Sequence, residues 1–96
     1  MFSVNEIIKH ITSEYKILGD SGLQCSSMSS IFDSEPGSLC FIREDISDSE
    51  SIVGNSNAAV VICHNNFIPS KDLLKKKCFI LVPNPSITFL NLIKVF

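Results

Sequence analysis

A chain of 96 residues, 45% hydrophobic and 19% charged, builds one small domain around one modest core, burying somewhat over ~60% of its unfolded surface. It leaves no room for a second, catalytic domain. The formal net charge of -2 gives no basic footprint, and without a recognition-helix or aromatic RNA motif it argues against nucleic acid as a partner.

The first segment, FSVNEIIKHITSEY, places Val4, Ile7, Ile8, Ile11 and Tyr15 at helical spacing, which predicts an amphipathic helix over residues 2–15. Ser3 and Glu6 form a capping-box pattern, and Phe2 and Ile7 stand where a hydrophobic staple forms. A short strand over residues 15–18 is closed by Gly19, with Asp20, Ser21 and Gly22 as turn residues. Residues 23–32, LQCSSMSSIF, read as a polar strand whose apolar residues change phase, as at a bulge.

In DSEPGSLCFIRED, Pro36 and Gly37 suit positions two and three of a type II turn, introducing a buried strand over residues 38–42. Residues 45–57 carry Asp48 and Glu50 early and Gly54, Asn55 and Asn57 late, the charge and capping pattern of a short helix. AAVVIC, residues 58–63, is a strand covered on both faces, so a right-handed strand, helix, strand crossover is expected.

NNFIPSKDLLKKK is a connector with room for a helical turn after Ser70, and Lys75, Lys76 and Lys77 read as a solvated end. CFILV is another buried strand. Asn84 as cap and Pro85 as first residue open a last helix, whose apolar residues Phe89, Leu92, Ile93 and Phe96 run on without a stop signal. Two alternatives stay open: a domain cut from something longer, or an ending packed on the sheet. The expected fold class is therefore α/β, a single domain over residues 1–96, with a small mixed sheet of about five strands and two to three flanking helices.

Most familiar chemistry is excluded. Cys25, Cys40, Cys63 and Cys78 form no Cys-x-x-Cys pair and read as buried free thiols, so zinc is not expected. Cys63 and His64 are adjacent on a strand and point to opposite faces, so they make no nucleophile and base dyad. There is no Gly-x-Ser-x-Gly elbow, no phosphate-binding glycine loop, and no calcium spacing among Glu44, Asp45, Asp48 and Glu50. No catalytic residue, metal or cofactor is expected. Lys9 and His10 interrupt the first apolar stretch too early for a signal peptide, and nothing later reaches membrane-spanning length, so a cytoplasmic protein without a transmembrane segment is expected.

The succession ILGDSG, LQCSSMSSIFDSEPGSLCFI, NAAVVICHN and KKKCFILVPNPSITFLNLIKVF resembles the N-terminal domain of the UDP-3-O-acylglucosamine N-acyltransferases, the LpxD family. The resemblance covers essentially the whole chain, most specifically at Pro36 to Phe41, the Ala-Ala-Val-Val strand, and Val-Pro-Asn-Pro before the last helix. It implies a small α/β domain, similar also to the N-terminal domains of Mur ligases. In the family this domain is joined to a trimeric hexapeptide-repeat portion that carries the catalytic histidine and receives the acyl group from an acyl carrier protein. No tandem hexapeptides occur here, and neither His10 nor His64 takes the catalytic role.

What the resemblance does imply is a ligand role, because the family domain helps hold the uracil of a nucleotide sugar. Phe41 matches the family's aromatic residue at the strand end, while Glu44 stands where an asparagine is expected and no tyrosine is found near Ser47. Phe41 is then either a stacking platform for a base or simple core, and Arg43 is positioned to meet a phosphate. The implied ligand-binding set is Phe41, Arg43, Glu44 and Ser47.

The functional expectation is a noncatalytic recognition domain for a UDP- or dTDP-linked amino sugar. An acyl carrier protein or acyl-CoA would be met only through a separate catalytic domain. The piece alone is expected to be a monomer, and a trimer within a full enzyme. The alternatives are a stand-alone interaction or scaffold domain without nucleotide binding, and a substrate-side module of the Mur ligase kind.

Overall fold

The computed structural model describes residues 1–96. Six strands and four helices follow in the order β1 (Phe2–Ser3), α1 (Val4–Ile8), β2 (Lys16–Gly19), β3 (Gln24–Cys25), β4 (Leu39–Phe41), α2 (Ser49–Gly54), β5 (Val60–His64), α3 (Lys71–Lys76), β6 (Cys78–Val82) and α4 (Pro85–Ile93), with a 3-10 turn at Ile31–Asp33. The fold is mixed α/β. The main sheet has the order β2-β6-β5-β4, with β4, β5 and β6 parallel and β2 antiparallel at one edge. The strands β1 and β3 form a separate antiparallel pair.

The apolar runs are continuous because the sheet is covered on both faces. Alternate residues Leu39, Val60, Ile62, Cys78, Ile80 and Val82 pack with Val4 and Ile7 of α1 and Phe89 and Leu92 of α4. The intervening Cys40, Ile42, Val61, Cys63, Phe79 and Leu81 pack with Val53 of α2 and Leu73 of α3. Period-two alternation thus divides one sheet between two cores, giving three layers.

The turn that introduces β4 is as expected. Gly37 has φ +72° and the Ser38 N–H donates to Glu35 O at 3.1 Å, which closes the turn over Pro36 and Gly37. The Asn84 cap and the Pro85 start of α4 also form, with Ile87 N–H donating to Asn84 Oδ1 at 3.2 Å. All four cysteines are free and buried.

Four expectations are corrected. The first helix is confined to Val4–Ile8: its capping box forms, with Glu6 N–H donating to Ser3 Oγ and Ser3 N–H to Glu6 Oε1, each at 3.2 Å. Beyond Ile8 the β-branched Ile11 and Thr12 and the backbone-competing Ser13 weaken helix propagation, and the chain straightens to reach β2, leaving Tyr15 exposed.

Residues 23–32 are not one strand. Only Gln24 and Cys25 pair with β1, and the serines that follow turn the backbone along the open edge of β4. Leu39 N–H donates to Ser27 O at 2.8 Å and Ser29 N–H to Leu39 O at 3.1 Å, while Ser30 caps the 3-10 turn. Serine hydroxyls satisfy local backbone groups, so the segment gains more from turns than from a regular ladder.

Lys77 is no solvated end. Lys75 and Lys76 are exposed, but Lys77 is 7% exposed and its ammonium donates to Ser56 O at 3.2 Å, to Ser56 Oγ at 3.4 Å and to Ala58 O. An extended residue between α3 and β6 directs this side chain inward, where the loop carbonyls before β5 receive it. The expected two to three flanking helices are four.

Candidate functional site

The carboxyl ends of β4 and β5 lie side by side, with Phe41 opposite Ile62 and Ile42 N–H donating to Ile62 O at 2.9 Å. The chain leaves β4 through Ile42, Arg43, Glu44 and Asp45, and leaves β5 through His64, a turn at Asn65 and Asn66, and Phe67. Two loops leave neighbouring parallel strands there, both leading to helices on the same face of the sheet.

Between them lies a cleft of ≈ 350 Å³ lined by Ile42, Arg43, Glu44, Ser49, His64, Asn66 and Phe67. On the other side of the β4 end is a smaller groove of ≈ 70 Å³, lined by Ser30, Ile31, Phe32, Phe41, Ile42, Arg43 and Ile46. Arg43 borders both.

The four residues expected to bind a ligand are thus only partly brought together. The ring of Phe41 lies against Phe89 of α4, centroids 4.6 Å apart, and is half-buried on the core while also lining the smaller groove. It is both core and groove wall. The Arg43 guanidinium forms the molecule's one ion pair, with Asp45 at 2.6 Å, and both side chains are about 60% exposed. Glu44 faces the larger cleft, without a cation of its own. Ser47 is exposed and borders neither opening.

Other groups at these strand ends escaped the sequence. Phe32, 70% exposed, lines the same smaller groove as Phe41. Its sequence signal was hidden inside the segment read as a strand. The larger cleft is completed by Ser49, His64, Asn66 and Phe67. The signal that points to His64, Asn66 and Phe67 is topological: they stand at the end of the second of two parallel strands and just beyond it.

The Asn66 N–H donates to His64 Nδ1 at 3.2 Å, which puts the proton of the neutral imidazole on Nε2. Ser49 Oγ donates to Ile46 O at 2.9 Å, leaving its lone pairs to accept. Phe67 lies 5.8 Å from Phe79 between ring centroids, so its ring is braced by the core.

The nucleophile candidates are inert. Cys63 is fully buried, its thiol reaching Ile80 O at 3.9 Å, and burial pushes its pKa up to about 12. Burial also pushes Cys25 up to about 12 and Cys78 to about 11. All three stay protonated at neutral pH and are not nucleophiles. No group of three or more His, Cys, Asp or Glu side chains converges to hold a metal ion.

The roomiest opening, ≈ 550 Å³, lies elsewhere, between Phe2, Phe89, Ile93 and Phe96 on one side and Ser26 to Ser30 on the other. Three of its serine hydroxyls donate within the chain, Ser26 to Pro36 O, Ser27 to Glu35 Oε2 and Ser29 to Ser38 Oγ, and Ser30 Oγ accepts from Phe32 N–H.

No helix is long and apolar enough to cross a membrane. The chain matches no protein-family model and no curated protein, so the resemblance to N-acyltransferase domains rests on the quoted stretches of sequence.

Proposed function

We propose that this chain is a noncatalytic recognition domain for a nucleotide-linked amino sugar. It is of the kind that accompanies the catalytic portion of a sugar-nucleotide N-acyltransferase in lipid A or surface polysaccharide synthesis. One observation carries the reading: Phe41, Phe32 and Arg43 border a single groove at the carboxyl end of a parallel strand. Two aromatic rings give a base stacking surfaces that do not depend on its hydrogen-bonding pattern. Phe32 thereby takes the place of the tyrosine that the family resemblance leads one to expect near Ser47.

The groove of ≈ 70 Å³ is well below the ~300–1,000 Å³ of small-ligand sites. A pyrimidine enters when the exposed Phe32 side chain swings outward, a motion open to surface rotamers. Arg43 meets a phosphate by exchanging Asp45 for it; at this exposure the existing pair is worth only about 0–1 kcal/mol, so the exchange costs little. The acyl donor, an acyl carrier protein or acyl-CoA, belongs to the catalytic portion, as does trimer formation. The domain by itself is monomeric and cytoplasmic on this reading.

The test is titration with UDP, dTDP and their amino sugars while amide resonances are followed. Shifts centred on Phe32, Phe41 and Arg43 are expected; their absence at millimolar ligand sinks the proposal. A second reading, an interaction or scaffold domain with no nucleotide site, is favoured by the exposed apolar row Ile87, Leu90 and Ile93 on α4. It requires Phe41→Ala to lower stability, through the lost packing on Phe89, with no nucleotide affinity to change.

A further inference from the structure

We propose that the outer edge of β2 pairs with the same edge of a second copy of this chain, antiparallel and about a two-fold axis. One sheet then runs β4-β5-β6-β2-β2-β6-β5-β4 through both molecules. The chain treats the two edges of its main sheet differently. At β4 the serine segment already occupies the edge, since Leu39 N–H donates to Ser27 O at 2.8 Å and Ser29 N–H to Leu39 O at 3.1 Å. At β2 the outer edge has no strand beside it.

Ladder parity decides which backbone groups are free there. Lys16, Ile17, Leu18 and Gly19 lie opposite Leu81, Ile80, Phe79 and Cys78, and Asp20 N–H continues the ladder by donating to Lys77 O at 3.2 Å. Hydrogen-bonding residues alternate along an antiparallel strand. The backbone groups of Lys16, Leu18 and Asp20 therefore turn towards β6, and the N–H and C=O of Ile17 and Gly19 turn outward. A second β2 can pair only in registers that set odd-numbered residues against odd-numbered ones.

Charge chooses among these registers. With Ile17 opposite Ile17, each Lys16 faces Leu18; with Ile17 opposite Tyr15, Lys16 faces Lys16. With Ile17 opposite Gly19, each Lys16 faces Asp20 of the second copy and Leu18 meets Leu18 on the axis. Ile17 and Gly19 then exchange both of their backbone hydrogen bonds, and the Ile17 side chain stands across from a residue that has none to obstruct it. A lysine on an edge strand ordinarily opposes self-pairing; Asp20, four positions on, makes it select a register instead.

Lys16 and Asp20 are both exposed, so these ion pairs set register more than affinity. A strand of 4 residues buries far less than the ~1,200 Å² of a stable interface, which puts the pairing in the weak, transient class. The domain is thus a monomer at micromolar concentration, as in the nucleotide-sugar reading, on which the pairing does not depend.

The experiment follows sedimentation equilibrium and amide spectra from ~10 μM to ~1 mM protein, the range that brackets a weak complex. Dimer is expected at the upper end, with concentration-dependent shifts centred on Ile17 and Gly19. Lys16→Asp and Asp20→Lys, each with an unchanged circular dichroism spectrum, are expected to weaken self-association about tenfold, as two exposed ion pairs become like-charge pairs. An equimolar mixture of the two variants is expected to recover it, because in the mixed dimer every cation again meets a carboxylate. Asp20 Oδ1 accepts from Gly22 N–H at 3.0 Å, so if Asp20→Lys does not fold, Lys16→Asp alone decides. A monomer throughout the range, association unchanged by Lys16→Asp, a mixture of folded variants that stays monomeric, or shifts centred on Ile87, Leu90 and Ile93 of α4 would overturn the proposal.

Discussion

Replacing Lys77 by Met tests the reading of that side chain as an internal tie. The apolar stem is kept and the ammonium is removed, so three contacts disappear: those to Ser56 O, Ser56 Oγ and Ala58 O. Ala58 is 3% exposed and its carbonyl loses a partner that water does not replace freely; Ser56 is half-buried and regains water. An orphaned buried acceptor costs about 1–3 kcal/mol. Against this stands relief of the desolvation that lowers the Lys77 pKa, the largest cause of its shift. The balance is a loss of about 1 kcal/mol, or roughly 4–8 °C in Tm for a domain of this size. Thermal and urea unfolding followed by circular dichroism measures it, with the exposed Lys75→Met as control, expected within ~0.5 kcal/mol. A Tm shift below about 2 °C for Lys77→Met would refute the reasoning.

Three further outcomes follow from the same structure. The buried thiols Cys25, Cys63 and Cys78 have folded pKa values of about 12, 12 and 11 against 9.0 unfolded, so the folded state holds more protons above pH 9. Their contribution is fully present below pH 9 and is lost as pH rises towards 11–12, about 1 kcal/mol per thiol by pH 10; the lowered Lys77 pKa acts in the opposite sense below 10.5. Urea midpoints measured from pH 7 to 10.5 check this, and a flat profile would contradict it. Gly19→Ala is expected to cost at least about 2 kcal/mol, because φ is +87° and the new Cβ would sit 2.3 Å from Lys77 O, as equilibrium unfolding will register. Ser3→Ala removes the capping box of a helix of 5 residues and is expected to lower stability by about 1 kcal/mol; hydrogen exchange should increase first at Glu6, whose N–H loses Ser3 Oγ.

Much of the fold was legible because it rests on local rules. The Pro36-Gly37 turn, the Ser3 and Asn84 caps and the apolar runs at residues 58–63 and 78–82 each announce themselves within a few residues, the first run forming the strand Val60–His64. The first helix was overread because its apolar spacing continues past Ile8, while propensity and the need to enter β2 end it earlier. The serine-rich segment was misread because pairing along an edge depends on the partner strand, and nothing in its own composition names that partner.

The candidate site divides along the same line. Phe41, Arg43 and Glu44 were visible as the exit of a buried strand, but His64, Asn66 and Phe67 come from a segment distant in the chain. They meet Glu44 only because β4 and β5 are parallel neighbours whose carboxyl ends coincide. The sequence by itself determined an α/β domain with buried thiols and two well-capped helices, because periodicity, capping and turn chemistry act over a few residues. Only the tertiary structure decided that Lys77 turns inward, that Arg43 is occupied by Asp45, and that Glu44 is left as the cleft's unpaired charge. Burial and ion pairing depend on which distant groups the folded sheet brings within a few ångströms.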